Sequence, residues 1–83
     1  MYRVSIENKA RKEAQSLPDE IWQRILQALE QLEQEPRPAG TRKLTGIEGW
    51  RLRVGDYRIL YTIDDEQNFV TVYQISHRKS AYR

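Results

Sequence analysis

The sequence predicts an α+β domain: a small, mostly antiparallel β-sheet with an α-helical pair packed on one face, in the order β-α-α-β-β-β. Three observations predict it. Tyr2, Val4 and Ile6 alternate with Arg3, Ser5 and Glu7, the residues from Asn8 to Glu35 change to a helical period, and Gly49 to Tyr61 returns to alternation around a tight turn. Separate runs of helix and strand pattern fit a sheet covered on one side. With 83 residues the chain supports one domain, 1–83, and a small core. There is no cysteine, so packing alone must hold it together.

Tyr2 to Glu7 reads as the first strand, with one buried face. Asn8 is suited to cap a short helix in which Ala10 and Ala14, with Leu17 near the end, face inward. Pro18, followed by Asp19 and Glu20, starts a second helix and complements its dipole. Ile21, Ile25, Leu29 and Leu32, widened by Trp22, Leu26 and Ala28, give that helix a broad apolar stripe. The stripe reads as core, with Trp22 and Leu26 also candidates for a partner groove. Pro36 and Pro38 end the helix near Glu35, and Arg37 to Gly49 reads as a loop or extended segment.

The stretch GWRLRVGDYRILY, Gly49 to Tyr61, reads as a hairpin with Gly55 and Asp56 in a type II′ or I′ turn. A two-residue turn pairs Val54 with Tyr57, Arg53 with Arg58, Leu52 with Ile59 and Arg51 with Leu60. Trp50, Tyr57 and Tyr61 then take the core phase. Two arginines stand opposite each other, an arrangement that is destabilising unless an anion or carboxylate lies between them. Asp64 to Asn68 is a polar turn, and Phe69 to Ser76, rich in β-branched and aromatic residues, reads as a last, central strand. His77 to Arg83 is a short basic tail, read as a one-turn helix or an extended end.

Charge is divided unevenly along the chain. Residues 1–36 hold five Lys/Arg against seven Asp/Glu, whereas residues 37–83 hold nine against five, and seven of those nine are arginine. Arginine grips phosphate through a planar two-pronged fork, so this composition favours a nucleic-acid ligand over mere solubility. No apolar run approaches the roughly 18 residues of a membrane span, and MYRVSIENKA lacks the apolar stretch of a secretory signal. The expectation is a cytoplasmic protein with no membrane partner. A single histidine and scattered acids offer no metal-ligand cluster, so no metal or other cofactor is expected.

RKLTG (Arg42 to Gly46), GWRLRVGDYRILY and ISHRKSAYR (Ile75 to Arg83), in that order after a helical pair, resemble the RelE/ParE toxin superfamily, most closely its RelE branch. The resemblance covers nearly the whole chain. It implies the toxin of a type II toxin–antitoxin pair, a ribosome-dependent endoribonuclease, or mRNA interferase, that cleaves mRNA in the A site and inhibits translation. It also implies a neutralising antitoxin as partner, alongside ribosome and mRNA. The family's paired basic strand residues are matched by Arg51 and Arg53, its G-x-Y-R arginine by Arg58, and its C-terminal arginine and tyrosine by Arg78 and Tyr82. Here the strand pair is Arg, where the best-studied toxin of this type has Lys.

Metal-free RNA cleavage uses the 2′-hydroxyl as nucleophile and needs a base, an acid and cations around the phosphorane. Arg51, Arg53, Arg58 and Arg78 would supply the cations, because a guanidinium group stays protonated and is a poor base. His77, the one histidine, has the side-chain type suited to moving protons near neutral pH and is one candidate for proton transfer. Tyr82 is the other, as a base-stacking, hydroxyl-orienting or proton-accepting group. Lys9, Arg11 and Lys12, with Arg42 and Lys43, are candidate contacts to ribosomal RNA phosphates. Two further readings on the same fold remain: a ParE-like DNA gyrase inhibitor, which needs no acid–base residue, and a non-catalytic RNA-binding relative.

Overall fold

In the computed structural model, which describes residues 1–77, the elements run β1 (Arg3–Ile6), α1 (Asn8–Gln15), α2 (Asp19–Gln34), β2 (Arg42–Lys43), β3 (Trp50–Val54), β4 (Tyr57–Asp64) and β5 (Phe69–His77). The expected order holds, with one strand more than anticipated: part of the segment after α2 pairs with β3 as a two-residue edge. The strands lie in the order β1-β5-β4-β3-β2. β1 runs parallel to β5 and every other neighbouring pair is antiparallel. β5 is interior, as its composition predicts, with β4 at the middle of the sheet.

The helices cover one pleat. Ala10 and Ala14 of α1, and Ile25, Leu29 and Leu32 of α2, form a single buried cluster with Leu52, Ile59, Tyr61, Val70, Val72 and Ile75 of the sheet. Within β3 and β4 these are the alternate residues of the predicted apolar phase, so the odd and even faces of the hairpin are assigned by burial. Tyr61 is fully buried, and its hydroxyl donates to the Pro36 carbonyl at 2.7 Å, tying the middle of the sheet to the chain just beyond α2. Burial pushes the Tyr61 hydroxyl pKa up, which keeps it a donor.

Helix α1 begins differently from expectation. Glu7, not Asn8, is the extended residue preceding the helix, and its side chain makes no capping bond. The cause is the sheet: the Glu7 N–H is bonded to the Val72 carbonyl at 2.9 Å, which keeps the chain extended one residue longer. Past the end of β1, α1 takes over the edge of β5, where Glu13 accepts from the Ile75 N–H at 2.9 Å. A side chain thus satisfies a strand donor that β1 is too short to reach.

A second tie was not foreseen. Arg37 meets Asp65 through two contacts, 2.8 and 3.3 Å, the Tyr2 hydroxyl donates to the same carboxylate at 2.6 Å, and the guanidinium lies 5.0 Å from the centre of the Trp50 ring. The group joins the start of β1, the chain after α2, the β4–β5 turn and β3. The Arg37 contact, then the Tyr2 hydroxyl, hold the Asp65 carboxyl below its ordinary value of 3.8. A depressed carboxyl contributes stability above its unfolded pKa and loses it as pH falls through the folded one. Wild type should therefore lose more thermal stability than Asp65→Asn between about pH 5 and pH 2. Parallel melting curves of the two proteins would contradict this.

Candidate nucleic-acid interface

The pleat turned away from the helices carries the basic residues. Register in the hairpin is as read from the sequence: Val54 with Tyr57, Arg53 with Arg58, Leu52 with Ile59, Arg51 with Leu60. Gly55 has φ +58° while Asp56 is not among the positive-φ residues, the signature of a II′ turn and not I′. Because Leu52 and Ile59 face the core, Arg51, Arg53 and Arg58 share the open pleat. Ser76 lies beside Arg58 on β5, Gln74 beside Leu60, and Arg42 of β2 beside Arg51.

The three arginines differ in depth. Arg53 is exposed and Arg51 half-buried, but Arg58 is only 6% exposed, the one buried charged residue among those described. A guanidinium fixed by its surroundings is a preorganised cation: little reorganisation is required when negative charge arrives. Beside it lies a basin of about 430 Å³ lined by Arg42, Lys43, Leu44, Thr45, Ile47, Arg51, Arg58 and Leu60. Lys9 reaches the same pleat from α1, its Nζ 3.4 Å from the Gln74 amide oxygen.

Other expected site residues lie elsewhere. His77 pairs with Tyr57, one residue on from the Arg58–Ser76 pair, so alternation puts it on the opposite pleat from Arg58. There its ring meets Tyr57 edge-on at 5.2 Å. Strand periodicity therefore separates His77, a candidate for proton transfer, from the arginine face. Arg11 turns back to the Ile6 carbonyl at 3.1 Å and borders a hollow between α1 and α2 with Leu17 and Trp22. Lys12 is exposed on α1. Arg78 and Tyr82 lie outside the described residues. Arg37, counted among the cations of the basic half, is committed to Asp65 and Trp50.

The apolar wall of the basin was missed. Leu44 and Ile47 belong to the segment that reads as a loop or extended stretch, and Leu60 carries no signal beyond its place opposite Arg51. The loop is closed by Leu44 N–H donating to the Gly49 carbonyl at 3.0 Å. Gly49 has φ +136°, and a Cβ there would meet the Tyr73 hydroxyl at 3.0 Å and the Tyr61 carbonyl at 3.1 Å. Only glycine fits that corner.

Residues 4–82 match the family model described as the ParE toxin of the type II toxin–antitoxin system parDE. The chain belongs to the RelE/ParE toxin superfamily. Toxin RelG of Mycobacterium tuberculosis is 35% identical over 86 residues, spanning 99% of this chain and 97% of that protein. Among solved structures, the toxin-like fold superimposes on the archaeal RelE–RelB complex from Pyrococcus horikoshii OT3 with a TM-score of 0.85, at 32% identity over 96% of this chain and 98% of that one. The toxin–antitoxin complex RelBE2 from M. tuberculosis gives 0.83, at 30% identity over 93% and 98%. These similarities place the chain in the RelE-like branch, as a toxin of a type II toxin–antitoxin system.

Proposed function

We propose that this RelE-like toxin is a ribosome-dependent endoribonuclease that cuts mRNA in the A site by metal-free attack of the 2′-hydroxyl. The observation that carries the reading is Arg58, buried beneath the open pleat and directly opposite Arg53. Two guanidinium forks facing each other across the ladder offer a phosphate planar, two-pronged contacts from both strands. In the reaction the 2′-oxygen bonds to phosphorus, the P–O5′ bond breaks, and a cyclic phosphate and a 5′-hydroxyl result. Arg51, Arg53 and Arg58 stabilise the charge that spreads over the phosphorane oxygens. None of them accepts the proton.

Proton transfer is assigned to Tyr82 ahead of His77, since His77 occupies the other pleat, with Arg78 as a fourth cation. A partial set of catalytic groups suits an enzyme whose substrate is oriented by the ribosome, where positioning supplies much of the rate. Arg42 and Lys43 at the basin and Lys9 beside Gln74 are the proposed contacts to RNA phosphates, with Arg11 and Lys12 on the α1 surface beyond. The similar RelE–RelB complexes support a neutralising antitoxin as the protein's partner. Induced expression should give codon-phased mRNA 5′ ends that disappear when the antitoxin is co-expressed; intact transcripts at growth arrest would overturn the reading. The ParE description of the family model favours one second reading, gyrase inhibition without RNA cleavage. A supercoiling assay separates the two.

A further inference from the structure

We infer that the basin beside Arg58 is a nucleobase subsite: Leu44, Ile47 and Leu60 hold the base of the nucleotide whose phosphate Arg42, Arg51 and Arg58 receive. This rests on the RNA reading of the arginine pleat and adds a recognition element to it. The first observation is Ile47. It is 62% exposed, and apart from Met1 no other large apolar side chain among the described residues is exposed to that degree. An isoleucine held in water at the tip of a glycine-turned loop does nothing for the core. The loop is fixed at its ends by the Leu44–Gly49 hydrogen bond and by the close approach of Gly49 to Tyr73, so Ile47 is presented and not merely left over.

The second observation is what Ile47 faces. Leu60, 8% exposed, lines the same basin with Leu44, so apolar surface runs from the sheet up to the rim. Arg42, Lys43, Arg51 and Arg58 complete the wall. Apolar surface adjoining clustered guanidinium groups matches one repeating chemistry: a flat base with apolar faces, joined through ribose to a phosphate. Thr45 at the rim provides a hydroxyl for a base edge. The volume, about 430 Å³, falls within the range of sites that enclose small ligands, about 300–1,000 Å³. An acidic protein segment is the competing occupant, and the test separates it from a nucleotide.

The test uses the full chain with labelled Ile and Leu methyl groups, titrated with adenosine monophosphate, guanosine monophosphate or ribose 5-phosphate and observed by NMR. The nucleotides should move the Ile47, Leu44 and Leu60 methyl signals and bind about fivefold more tightly than ribose 5-phosphate, the increment set by apolar burial. Ile47→Ser, a change at an exposed position that folding tolerates, should erase that margin while leaving ribose 5-phosphate affinity unchanged. Equal affinity for the three probes, an equal loss for all of them in Ile47→Ser, or methyl shifts produced only by an acidic peptide would each overturn the inference. Nucleotide-selective shifts in a chain that cuts no mRNA would refute the proposed function and leave the subsite standing. Codon-phased cutting with silent methyl groups would do the reverse.

Discussion

Arg58→Ala is expected to lower mRNA cleavage on programmed ribosomes by about 10²–10³-fold, the usual cost of removing one preorganised charge-stabilising donor. Its burial is the reason the effect should exceed that of its neighbours. Arg58 is held at 6% exposure inside the pleat, whereas Arg53, directly across the ladder, is exposed and screened by water. Arg53→Ala should therefore cost less activity and, because it relieves a like-charge pair, should leave the melting temperature unchanged or slightly higher. Arg58→Lys keeps the charge but loses the fork, so it should recover only part of the rate. Single-turnover cleavage measured beside thermal melts separates these outcomes. A folded Arg58→Ala protein with wild-type cleavage would remove the arginine pleat from the mechanism.

The hairpin was legible because two independent signals agreed: period-2 apolar alternation and a Gly-Asp turn set one register, and the structure has that register throughout. The helical pair was legible for the same reason, through the Ile25, Leu29, Leu32 stripe and the proline that precedes it. What escaped reading depends on contacts between residues distant in sequence. Asn8 has the chemistry of a cap, yet a hydrogen bond from Glu7 to Val72 decides where α1 begins. Arg37 looks like its six fellow arginines of the basic half until Asp65 and Trp50 are brought beside it. His77 is different, for its placement was available in principle: neighbours on a strand face opposite ways, so a histidine next to the Arg58–Ser76 level cannot share that face. The Ile47 wall carried no periodic signal at all.

Ile25→Ala is expected to make toxicity temperature-sensitive by a different route, through the population of folded protein. Ile25 is fully buried at the middle of α2, in the cluster that also contains Leu52, Ile59 and Tyr61 of the hairpin. Truncating such a side chain removes its transfer free energy and leaves a cavity, together costing about 2–5 kcal/mol. A domain of this size has a total stability of about 4–12 kcal/mol, so the loss is a large fraction of what holds it. Each kcal/mol lowers the melting temperature of a small domain by about 4–8 °C, giving a fall of more than about 8 °C. The arginines are untouched, so cleavage per folded molecule in the cold should match wild type, while toxicity fades as growth temperature rises and returns on cooling. Arg58→Ala should show the opposite signature, with cleavage per folded molecule lost even in the cold. The helices and the arginine pleat lie on opposite sides of the same strands, and this contrast separates a sheet that has come apart from one that has lost its charge. Ile25→Ala with an unchanged melting temperature would mean that α2 does not anchor the hairpin.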